Sequence, residues 1–262
     1  MIRSLRTAAS GMEAQQLNID VIANNLANVN TVGFKRSRAE FQDLFYEEIR
    51  AARNNDGEQA EGSPLPLEVG QGIRAIATQK LFGQGAIQAT NNELDIAIEG
   101  AGFFRLQMPD GTQAYTRNGA FTRDSDGRLV TIEGQPLDPP IILPPDTQRV
   151  SVEADGTVKA TLINNTEPLE VGRIGISIFI NPAGLASKGH NLYVASEGSG
   201  QAIDGFASEE GFGRVSQGML EGSNVEVVEE MIDLIAAQRA YEINSRVIQA
   251  ADQMLQETTR LR

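Results

Sequence analysis

Two aspartates two positions apart, Asp124 and Asp126 in AFTRDSDGRLVT, come closest in this chain to an acid and base pair. Paired carboxylates move protons when their surroundings set their proton affinities apart. Here they flank the Asp-Gly of a tight turn, where carboxylates are solvated. Gly70, Gly72, Gly83 and Gly85 form two GQG sequences. Neither opens a helix carrying the lysine that a phosphate-cradling loop needs, so both read as bends. His190, in SKGHNLY, is the single histidine, and there is no cysteine. A lone imidazole builds no His-rich zinc site, and thiolate sites and disulfides are excluded. Asn164 opens an NNT acceptor pattern to which no role is assigned. The sequence therefore offers no catalytic residue, no metal site and no cofactor.

The 262 residues, 40% of them hydrophobic, suffice for one or two packed domains. The net charge of -13, without a basic block, argues against nucleic acid or an anionic membrane surface as partner. No apolar run is long enough to span a membrane. MIRSLRTAASGMEAQQ is interrupted by Arg6, Thr7, Ser10, Glu13 and Gln15 and lacks the apolar stretch of a secretory signal. Aromatic residues make up 5% of the chain and tryptophan is absent, which gives little support to a carbohydrate-binding β module.

Residues 51 to 225 carry twelve basic against twenty-two acidic side chains and all ten prolines. Asp-Gly occurs at 110, 126, 155 and 204 among short apolar runs. GFFRLQMPDGTQAYT, AFTRDSDGRLVT and VSVEADGTVKATL each predict two strands around a turn. In the last, Val150, Val152, Val158, Ala160 and Leu162 share one face. PLDPPIILPP predicts an extended crossing or edge segment, since proline donates no ladder hydrogen bond.

The ends keep helical time. Leu5, Ala8, Met12, Gln15, Ile19, Ile22, Leu26 and Val29 follow at alternating intervals of three and four, the spacing of a coiled-coil seam. Near the other end Met231, Leu234, Tyr241, Ile248 and Leu255 form one stripe. Ile232, Ala236, Ile243, Val247, Ala250 and Met254 form a second beside it. Asn224 is the expected N-cap, with Glu226, Glu229 and Glu230 at the start of that helix and Arg260 and Arg262 at its end. Burying a large apolar side chain contributes roughly 1.5–3 kcal/mol, while fixing each residue's backbone costs roughly 1–2 kcal/mol. A lone pair of such helices is therefore marginal, and the second stripe predicts burial against other chains.

The expected fold is α+β: terminal helices pairing as a coiled-coil domain around a central antiparallel β domain. The divisions are an N-terminal helix at 1–34, a polar stretch at 35–72 that reads either as a flexible linker or as an extended arm ordered against a neighbour, the β domain at 73–215 and a C-terminal helix at 216–262. Four asparagines crowd ANNLANVN. Amides near a helix interface fix register because they must meet partners, which predicts that Asn24, Asn25, Asn28 and Asn30 select one arrangement. Gly33 lets the chain turn out of the helix as a hinge. The self-assembly residues are thus Leu5, Met12, Ile19, Ile22, Asn24, Asn25, Leu26, Asn28, Val29, Met231, Leu234, Tyr241, Ile248 and Leu255.

ANNLANVNTVGFKRSRAEF and EMIDLIAAQRAYEINSRVIQAADQMLQ closely resemble the paired terminal signatures of bacterial flagellar basal-body rod and hook proteins. The likeness runs inward through NNELDIAIEGAGFF, AYTRNGAFTRDSDGRLVT and SQGMLEGSNV. Within that family it points to the distal rod, with the proximal rod as the alternative. The resemblance implies a structural subunit, not an enzyme, that polymerises into a helical tube and passes torque from motor to hook. It also implies passage through the flagellar type III export apparatus, uncleaved, to the periplasmic rod. The implied partners are further copies, proximal rod proteins, hook protein and surrounding ring proteins. The charged stretch at 46–72 then corresponds to an arm that touches adjacent subunits.

Overall fold

The computed structural model describes residues 2–50, 65–163 and 165–260. Residues 51–64 of the expected arm, Asn164 of the NNT pattern and Arg262 lie outside the described residues. Two helices, α1 (Ile2–Ala27) and α2 (Val227–Arg260), bracket a series of antiparallel strands, so the fold is α+β. The chain divides into two compact units, Met1–Leu26 with Ser37–Gln79 and Val227–Arg262, and Ala27–Arg36 with Lys80–Glu226.

The second unit is built on a six-stranded antiparallel sheet. Its strands lie in the order Ala186–Gly189, Leu192–Val194, Gln113–Thr116, Phe103–Gln107, Gly175–Ile178 and Ile203–Phe206. Phe103–Gln107 and Gln113–Thr116 form a hairpin, as do Phe121–Arg123 with Leu129–Thr131 and Thr147–Val152 with Thr157–Leu162. These are the three predicted hairpins, and the glycine of each Asp-Gly turn sits at φ +80, +80 and +84. Asp204-Gly205 is the exception. It lies inside the strand Ile203–Phe206 and pairs with Ser177 and Ile176, so no turn forms there.

Alternation along these strands, and along Ile96–Glu99, which pairs with Arg214–Gln217, sends Ile96, Ile98, Phe104, Leu106, Phe121, Val158 and Ile176 into one core. The proline-rich segment adds buried Leu137, Ile141 and Leu143 through isolated bridges. Across the sheet a second cluster gathers Phe103, Tyr115, Phe179, Leu185 and Tyr193, with Phe82 packed against it. Edge-on contacts hold it, such as Tyr115 to Phe179 at 4.8 Å between ring centres.

The first unit holds both helices and two short ladders. Ser37–Asp43 pairs with Ile73–Lys80, and Tyr46–Arg50 pairs with Leu67–Gly70 in the register Tyr46 to Gly70. Arg3 on α1 forms an ion pair with Glu47 at 2.6 Å.

Candidate self-assembly surface and a buried charge cluster

Helix α1 ends at Ala27, before the heptad spacing does, and residues 28–30 continue as a turn. Thr31 closes that turn, its N–H donating to the Asn28 carbonyl at 3.1 Å and its hydroxyl to Asn28 Oδ1 at 3.2 Å. Asn28 therefore serves the helix exit. Asn24 and Asn30 are exposed. Asn25 is buried, 2% exposed, and pairs through both amide atoms with the backbone of Ser37: Ser37 N–H donates to Oδ1 at 2.9 Å, and Nδ2 donates to Ser37 O at 2.8 Å. Nδ2 also reaches both carboxylate oxygens of Glu230 at 3.2 and 3.3 Å.

A second point of closeness gives the helices their relative direction. A Cβ added at Gly11 would stand 2.9 Å from Asn244 Nδ2. Going from 25 back to 11 on α1 matches going from 230 forward to 244 on α2, so the two run antiparallel. On α2 the covered positions are Glu230, Leu234, Ala237, Ala240, Asn244, Ser245, Ile248, Ala251 and Leu255, with Glu230, Ala237 and Ala251 fully buried. On α1, Ala8, Ala14, Val21, Ile22 and Asn25 are buried, while Leu5, Met12, Ile19, Leu26 and Val29 are half-buried. Leu234, Ile248 and Leu255 thus join the covered stripe, whereas Met231 and Tyr241 remain 50% and 39% exposed.

The most deeply buried positions of the covered stripe are two alanines and one acid, which the spacing of large apolar residues does not mark. Its signal is the seven-residue step from Glu230 through Ala237 and Asn244 to Ala251. Beside it an apolar face stays open to water, made by Val228, Ile232, Ile235, Ile243, Val247 and Met254. Phe45, 91% exposed, Tyr46 and Leu65 expose large apolar side chains within the expected arm.

Gly33, the expected hinge, adopts φ +69, and a Cβ there would lie 2.6 Å from the backbone nitrogen of Asn118. Its N–H donates to the Glu221 carbonyl at 2.8 Å. Asn224 does not cap α2, which begins at Val227. Its Oδ1 instead accepts from Arg36 N–H at 2.7 Å, and its Nδ2 donates to the carbonyls of Leu81 and Gly83 at 2.8 and 3.1 Å.

Beneath this amide lies a buried charge cluster that the sequence did not announce. Lys35 Nζ meets Glu221 Oε1 at 2.5 Å and Arg117 meets Oε2 at 3.2 Å, with side-chain exposures of 0% for Lys35 and Glu221 and 5% for Arg117. Lys35 also donates to Gly83 O at 2.7 Å, and Arg117 to Gly100 O at 2.7 Å. Gly85 N–H donates to Glu221 Oε1 at 2.9 Å. The second GQG thus cradles an internal carboxylate, and a Cβ at Gly85 would collide with Gly222 O at 2.1 Å. Burial pulls the Lys35 ammonium below its usual range, an effect Glu221 partly offsets.

The residues first considered for chemistry are accounted for otherwise. Asp124 and Asp126 both pair with Arg128, at 3.4 and 2.8 Å, around their turn. His190 is largely exposed beside Glu133.

Helix α2 with one covered and one open apolar face, in a chain that also holds an antiparallel β core, has the features of a structural subunit. Residues 5–35 match the family described as flagella basal body rod protein. Residues 97–160 match the flagellar hook protein FlgE/F/G D1 domain, and residues 216–261 the flagellar basal body rod FlgEFG protein C-terminal region. The chain belongs to this flagellar basal-body rod family, whose members are structural proteins and not enzymes. More particularly, it is 50% identical to the flagellar basal-body rod protein FlgG of Borreliella burgdorferi, over 97% of each chain. It is 45% identical to FlgG of Buchnera aphidicola subsp. Schizaphis graminum and 38% identical to FlgG of Bacillus subtilis, over 100% of each chain in both cases.

Proposed function

We propose that this chain is a subunit of the flagellar distal rod that assembles with its own copies into a helical tube and carries torque from motor to hook. The observation that carries this reading is the open apolar face of α2, with Ile232 61%, Ile243 60% and Val228 65% exposed. Covering a large apolar side chain contributes about 1.5–3 kcal/mol, so a face with this many gains most from neighbours. The α1 and α2 pair acts as the coiled-coil seam of the assembly domain, with Asn25 setting its register and Gly33 the hinge out of it. The stretch at 46–72 is the arm, its exposed aromatic root meeting adjacent subunits.

The further partners are proximal rod proteins below, hook protein above and ring proteins around, reached through the type III export apparatus. Electron microscopy of concentrated purified protein tests the reading. Helical tubes with both termini newly protected from protease support it; a chain that stays monomeric with both ends already resistant overturns it.

A further inference from the structure

The geometry points to Lys35, Arg117 and Glu221 as positioning residues that lock the junction at which the chain passes out of the β unit. The chain leaves that unit after Arg36 and after Glu226 and enters it again at Lys80. These three of its four passages, the other being the first entry at Ala27, converge within it. Leu81 N–H donates to Arg36 O at 2.9 Å, and Gly33 N–H to Glu221 O at 2.8 Å. Asn224 spans Arg36, Leu81 and Gly83. Under them the Glu221 carboxylate is held from three directions, by Lys35, by Gly85 N–H and by Arg117.

Stability alone does not explain such a cluster. Two cations and one carboxylate are removed from water, a desolvation that well-packed apolar side chains avoid, and buried ion pairs are often no more stabilising than their apolar replacements. What apolar packing lacks is direction. Leucines tolerate a slide of the passing segments, whereas a carboxylate with both oxygens committed has one satisfactory arrangement. The neighbouring aromatic rings of Phe82, Phe103 and Tyr193 supply adhesion without that selectivity. In a subunit that bears load, the cluster keeps the passages from slipping.

The test compares the wild-type chain with the triple variant Lys35→Met, Arg117→Met, Glu221→Met by thermal melting and by hydrogen exchange at the amides of Gly33, Arg36 and Leu81. None of those amides bonds to a replaced side chain. A melting midpoint close to wild type, with exchange at these amides faster by at least about tenfold, is the expected result. Exchange at the wild-type rate overturns the inference. If the triple variant does not fold, Lys35→Met with Glu221→Gln, which keeps one acceptor oxygen for Gly85 N–H or Arg117, is read the same way. The importance to load rests on the rod reading and is tested separately. Cells carrying the variant should assemble flagella yet lose swimming in viscous medium before they lose it in dilute buffer; equal losses in both media overturn the load-bearing role while leaving the rod reading intact.

Discussion

Asn25 and Glu230, 205 positions apart, meet within one buried hydrogen-bonded site, where the Asn25 amide also pairs with both backbone groups of Ser37. This polar contact ties α1 to α2 at one end of the pair. Asn25→Ala removes every one of these bonds and is expected to cost about 1–3 kcal/mol in urea unfolding. Asn25→Asp is expected to cost more, because it loses the Nδ2 donor and sets a second carboxyl group against Glu230. Equal stability of Asn25→Asp and wild type would show that the contact does not set the register.

Gly33 supports a second prediction at the exit from the helix. Its φ of +69 and the 2.6 Å approach of Asn118 N leave no room for a side chain. Gly33→Ala combines left-handed strain with a clash against backbone, and is expected to destabilise the β unit by about 1–3 kcal/mol. A chemical denaturation midpoint unchanged from wild type would contradict this.

The helices, the three Asp-Gly hairpins and the extended proline-rich segment were legible because each is written in local periodicity or turn chemistry. The α2 seam was legible only in part. Small residues, Gly11 beside Asn244 and the buried Ala237 and Ala251, carry it, while Met231 and Tyr241 satisfy the spacing yet stay partly open to water. Asp204-Gly205 has turn composition, but sheet pairing with Ile176 and Ser177 decides its conformation. Lys35, Arg117 and Glu221 look like solvated charges in sequence. Their burial depends on segments brought together from the 30s, the 80s, the 110s and the 220s, and no local pattern encodes that meeting.

Tyr193 gives the β unit an alkaline limit. It is 1% exposed and packs edge-on against Phe82 at 5.2 Å. Burial, followed by the nearby charge of Glu221, raises its phenol well above the ordinary value. In the unfolded chain it ionises near its usual pKa of about 10, while in the folded chain it keeps its proton. Below that pH both states are protonated and the group is neutral to stability; above it, proton loss favours the unfolded chain and stability falls. The melting temperature of wild type should drop more steeply above pH ~10 than that of Tyr193→Phe. Lys35, whose lowered pKa acts with opposite sign, is present in both proteins, so their difference isolates the tyrosine.

The two faces of α2 should separate folding from assembly. Ile243 is 60% exposed and Ala237 is 3% exposed on the same helix. Ile243→Gln removes apolar surface that touches water in the single chain, so its unfolding free energy should stay within about 0.5 kcal/mol of wild type. Polymerisation, followed by sedimentation of concentrated protein, should nevertheless decline, and Ile232→Gln added to it should deepen the loss. Ala237→Leu does the reverse. It forces extra methylenes into the covered seam and should destabilise the single chain by about 1–3 kcal/mol. If Ile243→Gln sediments like wild type at every concentration, the open face is not the surface on which copies meet.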